Sequence, residues 1–325
     1  MMATIGFMMH LTPDDGQNAT QLYTQAGQVL AELEQQGLQE AWITEHHFNE
    51  HSLCPAPMTL MAAFLAQTKH LKMGAAAVLL GFHEPLAISE QIATLSALYP
   101  NRVLMGFAKG GPFESQNKAF NITGDISRAK MLEALPAMRA VLSQDKVSHK
   151  GDFYQWQDIE MQPKSAGDLP FFIASSDEHA IRLAAQEKYG LMIAQFWPLQ
   201  KIVMNRTAFM KASDGIAPDI MAARGIFIDD DAAQARVKAL AFIHDFRAQR
   251  AQLWGNHKGP MTGVDDDEML SRMLVGTVKQ VIEQTKAVLA TGVTRLAVNP
   301  LVTPLSDKAS QTMRFLHEVW PACQD

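Results

Sequence analysis

Short apolar runs alternate with longer segments of helical period along this chain. The runs fall at 3–9, 40–45, 72–79, 102–108, 170–175, 190–196, 222–228 and 295–299. Each has the length and composition of one strand. Residues 20–36 place Leu22, Ala26, Val29, Leu30 and Leu33 on one helical face, and Gly37 follows as a stop. Segments 57–67, 85–98, 126–142, 178–187, 231–252, 278–290 and 306–319 read as helices in the same way. Eight strand–helix repeats predict an α/β fold, with a closed (β/α)8 barrel favoured over a doubly wound sheet. No linker or low-complexity stretch divides residues 1–325, so one barrel domain with inserted segments is expected.

Two regions break the rhythm. Residues 147–164 carry Phe153, Tyr154, Trp156 and Ile159 among polar residues, the pattern of a small inserted β-hairpin. Residues 253–277 carry Gly255, Gly259, Pro260 and Gly263 before the acidic run Asp265-Asp266-Asp267-Glu268. This segment is expected to be a mobile excursion between strands seven and eight. The acidic run fits a solvated helix start better than a metal site, because carboxylates favour a helix N-terminus.

Composition removes several function classes. Apolar residues make up 47% of the 325, enough for a large core, while 19% are charged and the net charge is −6. A nucleic-acid surface needs a basic field, so no nucleic-acid partner is expected. Cys54 and Cys323 are far apart and match no zinc or CxxC spacing. The first residues lack the basic start and long apolar region of a signal peptide, and no apolar stretch reaches the ~18–20 residues of a membrane span. A cytoplasmic protein with no membrane partner is expected.

Chemistry gathers where the apolar runs end. The second run closes in Thr44-Glu45-His46-His47-Phe48-Asn49-Glu50-His51. Three readings of this cluster stay open: acid–base work by one neutral histidine, a metal site using His46, His47 and His51, or hydrogen-bonded structural histidines. The third run ends in Gly74-Ala75-Ala76-Ala77, whose small side chains either admit a flat ligand or permit close packing. The fourth runs into Ala108-Lys109-Gly110-Gly111, a cation beside permissive backbone. The fifth is followed by Ser175-Ser176-Asp177-Glu178-His179 at a helix start. Free N–H groups and two hydroxyls there form a candidate phosphate cradle, against simple N-capping by the serines. A phosphorylated planar cofactor would join these strand ends.

Several of these stretches, in this order and spacing, resemble the bacterial luciferase-like flavin monooxygenases. The carrying residues are Trp42 to Glu50, Gly74 to Leu80, His83 to Glu90 and Asn101 to Gly110. The resemblance implies a TIM-type barrel that binds reduced FMN as a cosubstrate at the strand C-termini. It assigns His46 to catalysis and Ala76-Ala77 to a cis peptide against the flavin. It places Lys109, Ser175, Ser176 and His179 around the phosphate, and Phe196 beside the ring. It implies dioxygen and a small organic substrate, and no metal. A separate flavin reductase is implied as well, since the chain has no Gly-x-Gly-x-x-Gly nicotinamide fingerprint. A deazaflavin coenzyme is the alternative within the family.

The departures keep other readings in play. Ala108 stands where the luciferase catalytic chain has a reactive cysteine, and Lys109 where it has an arginine, which loses the bidentate fork. A non-catalytic flavin-binding or partner subunit is therefore one alternative, and a metal-dependent barrel hydrolase is another. Light emission is not implied. A homodimer is expected, because 57–67 and 85–98 carry apolar residues on more than one face.

Overall fold

The structure, a computed structural model, describes residues 2–111, 113–254 and 261–324, the side chains of 252–254 excepted. The chain begins β1 (Thr4–Met9), α1 (Ala19–Gln35), β2 (Glu40–Ile43), α2 (Pro57–Leu65), β3 (Lys72–Leu79), α3 (Pro85–Leu98), β4 (Val103–Ala108). It continues α4 (Glu114–Ala119), α5 (Gly124–Ser143), β5 (Val147–Lys150), β6 (Gln155–Ile159), β7 (Phe171–Ile173), α6 (Glu178–Gln186), β8 (Gly190–Ile193), α7 (Leu199–Ala212). It ends β9 (Ile220–Ile228), α8 (Ala232–Trp254), α9 (Asp266–Ser271), β10 (Leu274–Gly276), α10 (Val278–Ala290), β11 (Arg295–Pro300), α11 (Leu305–Arg314).

Strands β1, β2, β3, β4, β7, β8, β9 and β11 pair in parallel in that order, and β11 returns to β1. This is the closed (β/α)8 barrel that the alternating pattern predicts, with helices outside. Successive strand side chains point to opposite faces. One set therefore fills the barrel, including Met8, Trp42, Leu104, Phe172, Met192 and Met221. The other set packs under the helices in the main core.

Trp42 decides the lower packing of the barrel. Its indole N–H donates to Glu40 Oε2 over 3.1 Å, and its ring meets Phe172 edge-on at 5.5 Å. A Cβ on Gly74 would come within 2.3 Å of that ring. Gly74 is therefore small to admit Trp42, which is the packing reading of the Gly-Ala-Ala-Ala stretch at that position.

Three sequence expectations change here. Helix α7 has no counterpart among the predicted helices. Its buried stripe is only Ile202, Asn205 and Phe209, while Val203 and Met204 are exposed, so its apolar residues mark no single face. The excursion at 253–277 contains ordered structure: β10 extends the sheet alongside the end of β9, pairing Leu274 with Ile226 and Gly276 with Ile228. Asp265 caps α9 by accepting from Glu268 N at 2.8 Å, so the acidic run is a helix start. Gly255, Gly259 and Pro260 lie outside the described residues. Third, the apolar side chains of α2 and α3 are buried within the chain itself: Met58, Leu60, Met61, Phe64, Leu65, Ile88, Ile92 and Leu95 all lie in its core, and Leu98 alone among the predicted interface residues is exposed. The excess apolar surface behind the homodimer expectation is thus mostly used internally.

β5 and β6 pair as an antiparallel hairpin between α5 and β7. Among the described residues no helix is long and apolar enough to cross a membrane.

Candidate active site

A cavity of 480 Å³ opens over the C-terminal ends of the barrel strands. That volume suits a small-molecule or cofactor site, and the strand C-termini are where this fold places one. Ala76, Ala77, Ala108, Gly110, Gly111 and Ala174 give part of its lining no bulk. The Ala76–Ala77 peptide is cis, and the β3–β4 register shifts between Ala75 and Val78. Phe196, Trp197, Phe242 and Phe246 supply an aromatic wall, with Phe196 and Phe246 centred 5.5 Å apart.

The loop after β2 sends its two adjacent histidines to different places. His46 lines the cavity. Its Nδ1 is 2.7 Å from Ser52 Oγ, and its ring stacks on His10 at 5.8 Å. With Nδ1 engaged, Nε2 is the nitrogen left to meet a ligand. Burial, and then the nearby Arg250 cation, push the His46 imidazolium down to about 4. His10 is also held well below the ordinary histidine value, by burial first and then by His46, Lys308 and Arg250. Both rings are neutral at pH 7, the state a proton acceptor needs.

His47 turns away into a rim network and is absent from the cavity lining. His47 Nε2 and His83 Nε2 each lie 2.7 Å from Glu45 Oε1, and Leu79 N–H donates to Glu45 Oε2 at 3.0 Å. Burial alone would raise the Glu45 carboxyl, but hydrogen bonds from His47 and His83 outweigh it and hold Glu45 below its ordinary value of 4.5. An ionised carboxylate only accepts, so both histidines carry their proton on Nε2. Phe120 packs against His47 at 4.8 Å.

The structure does not gather His46, His47 and His51, the trio of the alternative metal reading, whose two adjacent histidines are expected to point to different sides. It brings together Glu45, His47 and His83 instead. His83 lies beyond the cluster that the sequence reading singled out. The reason for the divergence is alternation: neighbouring side chains on extended backbone face opposite ways.

Of the predicted site residues, His46, Ala76, Ala77 and Phe196 line the cavity; Lys109, Ser175, Ser176 and His179 do not. Arg128 relates two parts of this group: it acts on Lys109 and lies 3.7 Å from Asp177, next to Ser176. Lys109 Nζ sits over the first turn of α5, where a Cβ on Gly124 would be 3.4 Å from it. Its pKa is lowered by burial and then by Arg128, against Asp125. Ser175 Oγ accepts from Asp177 N at 3.1 Å, while Ser176 and His179 are exposed. The helix cap is Asp177, not a serine: its Oδ1 accepts from His179 N and Ala180 N at 3.1 and 3.2 Å. The predicted free N–H cradle at that helix start is therefore already occupied by a carboxylate.

Four further residues were missed. Arg128 on α5 lies 3.7 Å from Asp177, with its Nε buried and unpartnered. Its only sequence signal is a place in the second turn of the helix after Lys109. His10 directly follows β1 and could have been found as a strand-end histidine. Lys308 and Arg250 line the cavity from α11 and α8. Nothing in their local sequence separates them from surface cations.

These residues fit a flavin nucleotide. The bulk-free lining leaves room for a flat ring, and the orphaned Arg128 Nε beside Lys109 marks a place for an anionic tail.

Comparison with known proteins agrees. A family model described as luciferase-like monooxygenase matches residues 4–295. The oxygenase component of a flavin-dependent trigonelline monooxygenase from Acinetobacter baylyi is 23% identical, covering 95% of this chain and 92% of that one. Limonene 1,2-monooxygenase from Rhodococcus erythropolis is 29% identical over 40% of this chain and 34% of its own length. An F420-dependent glucose-6-phosphate dehydrogenase from Nocardia farcinica is 28% identical over 50% of each chain. Among solved structures, a monooxygenase from Streptomyces bottropensis superposes with a TM-score of 0.86 at 20% identity, covering 98% of this chain and 99% of that one. An F420-dependent secondary alcohol dehydrogenase gives 0.81 at 16% identity over the whole of both chains. The oxygenating constituent of 3,6-diketocamphane monooxygenase from Pseudomonas putida, in complex with FMN, gives 0.76 at 18% identity over 99% of each.

Proposed function

This chain belongs to the luciferase-like monooxygenase family, and on that premise we propose that it is the oxygenase of a two-component system using reduced FMN and dioxygen. The observation that carries the reading is the pairing of a bulk-free cavity lining with a desolvated neutral histidine, His46, on the same cavity. Ala76, Ala77 and Ala108 would lie against the flavin ring, and Phe196 would bound it. Lys109 and Arg128 would meet the phosphate, with the hydroxyls of Ser175 and Ser176 beside them and His179 at the outer edge. Bound in its reduced form, the flavin would supply the electrons that activate dioxygen.

The chain's own part is threefold. The aromatic wall keeps water from the reacting atoms. His46, with Nδ1 tied to Ser52, presents Nε2 to hold or move a proton. The pocket holds a small organic substrate against the flavin. Reduced flavin comes from a separate reductase, consistent with the "oxygenase component" name of the relative that spans nearly the whole chain. A second reading, hydride transfer with a deazaflavin coenzyme, is favoured by the F420-dependent relatives. Among relatives by sequence the monooxygenase reading is preferred, because its relative covers 95% of this chain against 50%, while the F420-dependent structure at 16% identity shows the fold alone. Residues 1–325 are read as one domain of this kind. A homodimer belongs to the same proposal, with Leu98 as its remaining exposed apolar residue. Light scattering tests it: a monomer mass unchanged by flavin removes it.

The test of the function is to mix protein loaded with reduced FMN with dioxygen and follow reoxidation and peroxide. Reoxidation and peroxide release slower than with free reduced FMN are expected, the final peroxide yield being the same because no organic substrate takes the oxygen. Reoxidation and peroxide at the free-flavin rate would sink the reading.

A further inference from the structure

One wall of the cavity carries Lys308 and Arg250 beside the neutral rings of His10 and His46. Lys308 lies on it, 3% exposed. Its Nζ has a single described hydrogen bond, 3.3 Å to the carbonyl of His10, and makes no ion pair among the described residues. An ammonium has three donors, so two remain for a ligand. Arg250 joins the same lining from α8. Among the described residues neither lining carboxylate forms an ion pair with Lys308. Both oxygens of Glu45 are already used, and Asp245 is exposed on α8.

A second feature adds to the field. The N-cap of α11 is Pro304, which provides no side-chain cap, and Val302 and Thr303 just before it line the cavity. An uncapped helix start contributes positive potential, against which the exposed Asp307 in the first turn works in part. Burial pulls Lys308 down to about 8, which still leaves the amine mostly protonated at pH 7. Asp14 acts on it, but behind burial and without an ion pair among the described residues; a buried cation so placed is costly, and a bound anion relieves that cost.

We propose that this wall is an anion subsite, and that the organic substrate carries a carboxylate that Lys308 binds. Calling the ligand a substrate rests on the monooxygenase reading; the subsite itself does not. Because Lys308 bonds to His10, which stacks on His46, the carboxylate would sit across that ring pair from the proposed proton-handling nitrogen. The acid group would then orient the molecule, leaving its apolar body for the aromatic wall.

Calorimetric titration of the full chain, with and without FMN, tests this using benzoate and its neutral isostere benzamide. Benzoate should bind at least about tenfold more tightly, the scale of one charge-assisted hydrogen bond. Lys308→Met should lower benzoate affinity by about tenfold or more without moving benzamide, and Lys308→Arg should restore most of it. Equal binding of benzoate and benzamide overturns the subsite, as does benzoate affinity unchanged in a folded Lys308→Met protein. Should that variant not fold, the wild-type pair of ligands decides by itself. Flavin titration of the same samples separates the two proposals. Lost flavin binding with benzoate selectivity intact removes the monooxygenase reading alone, and the converse removes the subsite alone.

Discussion

His46 and His47 are neighbours in the chain and opposites in the fold. His46 joins His10 on the cavity wall, where burial leaves both rings neutral and, among the described residues, no carboxylate is hydrogen-bonded to either. His47 joins His83 at the rim, where one buried carboxylate accepts from both. A desolvated neutral ring without a carboxylate partner leaves a nitrogen open to a ligand. A ring locked on a carboxylate holds a loop in place. The difference teaches that residue type and position in a motif do not assign a role; the partner of each nitrogen does.

The largest way to break this contrast is His46→Ala. Turnover should fall by ~10²–10⁴-fold, the usual contribution of a positioned acid–base group, while FMN affinity stays nearly constant. His47→Ala should cost far less in turnover measured on folded protein. Equal losses from the two substitutions would erase the distinction.

At the rim the effect should appear in stability. Glu45→Ala leaves two imidazoles and the Leu79 N–H without their acceptor, so it should destabilise the protein by about 3 kcal/mol in urea unfolding. A change within ~0.5 kcal/mol would mean that the network holds nothing.

Acid sharpens the comparison next. The unfolded chain protonates His46 near 6.5, while the folded chain resists until about 4. The unfolded state therefore binds more protons in this window, and stability should fall as pH drops from 6.5 to 4, by about 3 kcal/mol from this group alone. His46→Ala should flatten that slope. Glu45, held below 4.5, loses its contribution only at pH values below that. A stability curve flat from pH 6.5 to 4.5 would contradict the cavity assignment.

The smallest effect belongs to the phosphate rim. Lys109→Ala should weaken FMN about tenfold and leave riboflavin unchanged. Equal weakening of both would place the lysine in support of the fold or the ring.

Much of the barrel was legible because burial on both sides of each strand leaves contiguous apolar runs, and all eight barrel strands lie within or beside them. Helix α7 was not, since its narrow buried stripe sits beside exposed Val203 and Met204. Within the site, His46, Ala76, Ala77 and Phe196 come from strand ends, where sequence position predicts the cavity. Lys308 and Arg250 arrive from helices, and their side chains enter the cavity through tertiary packing that no local pattern encodes. Asp177 was visible but misjudged: the cap fell one residue after the serines, and a carboxylate there takes the N–H groups reserved for phosphate.

The central claim is that this cavity and its basic rim hold reduced FMN. Anaerobic titration of the purified chain, followed by absorbance in oxidised and reduced states, tests it most directly. Saturable binding of reduced FMN is predicted, tighter than that of reduced riboflavin by about tenfold or more. Binding of neither redox state, or preference for a deazaflavin over FMN, would contradict the account.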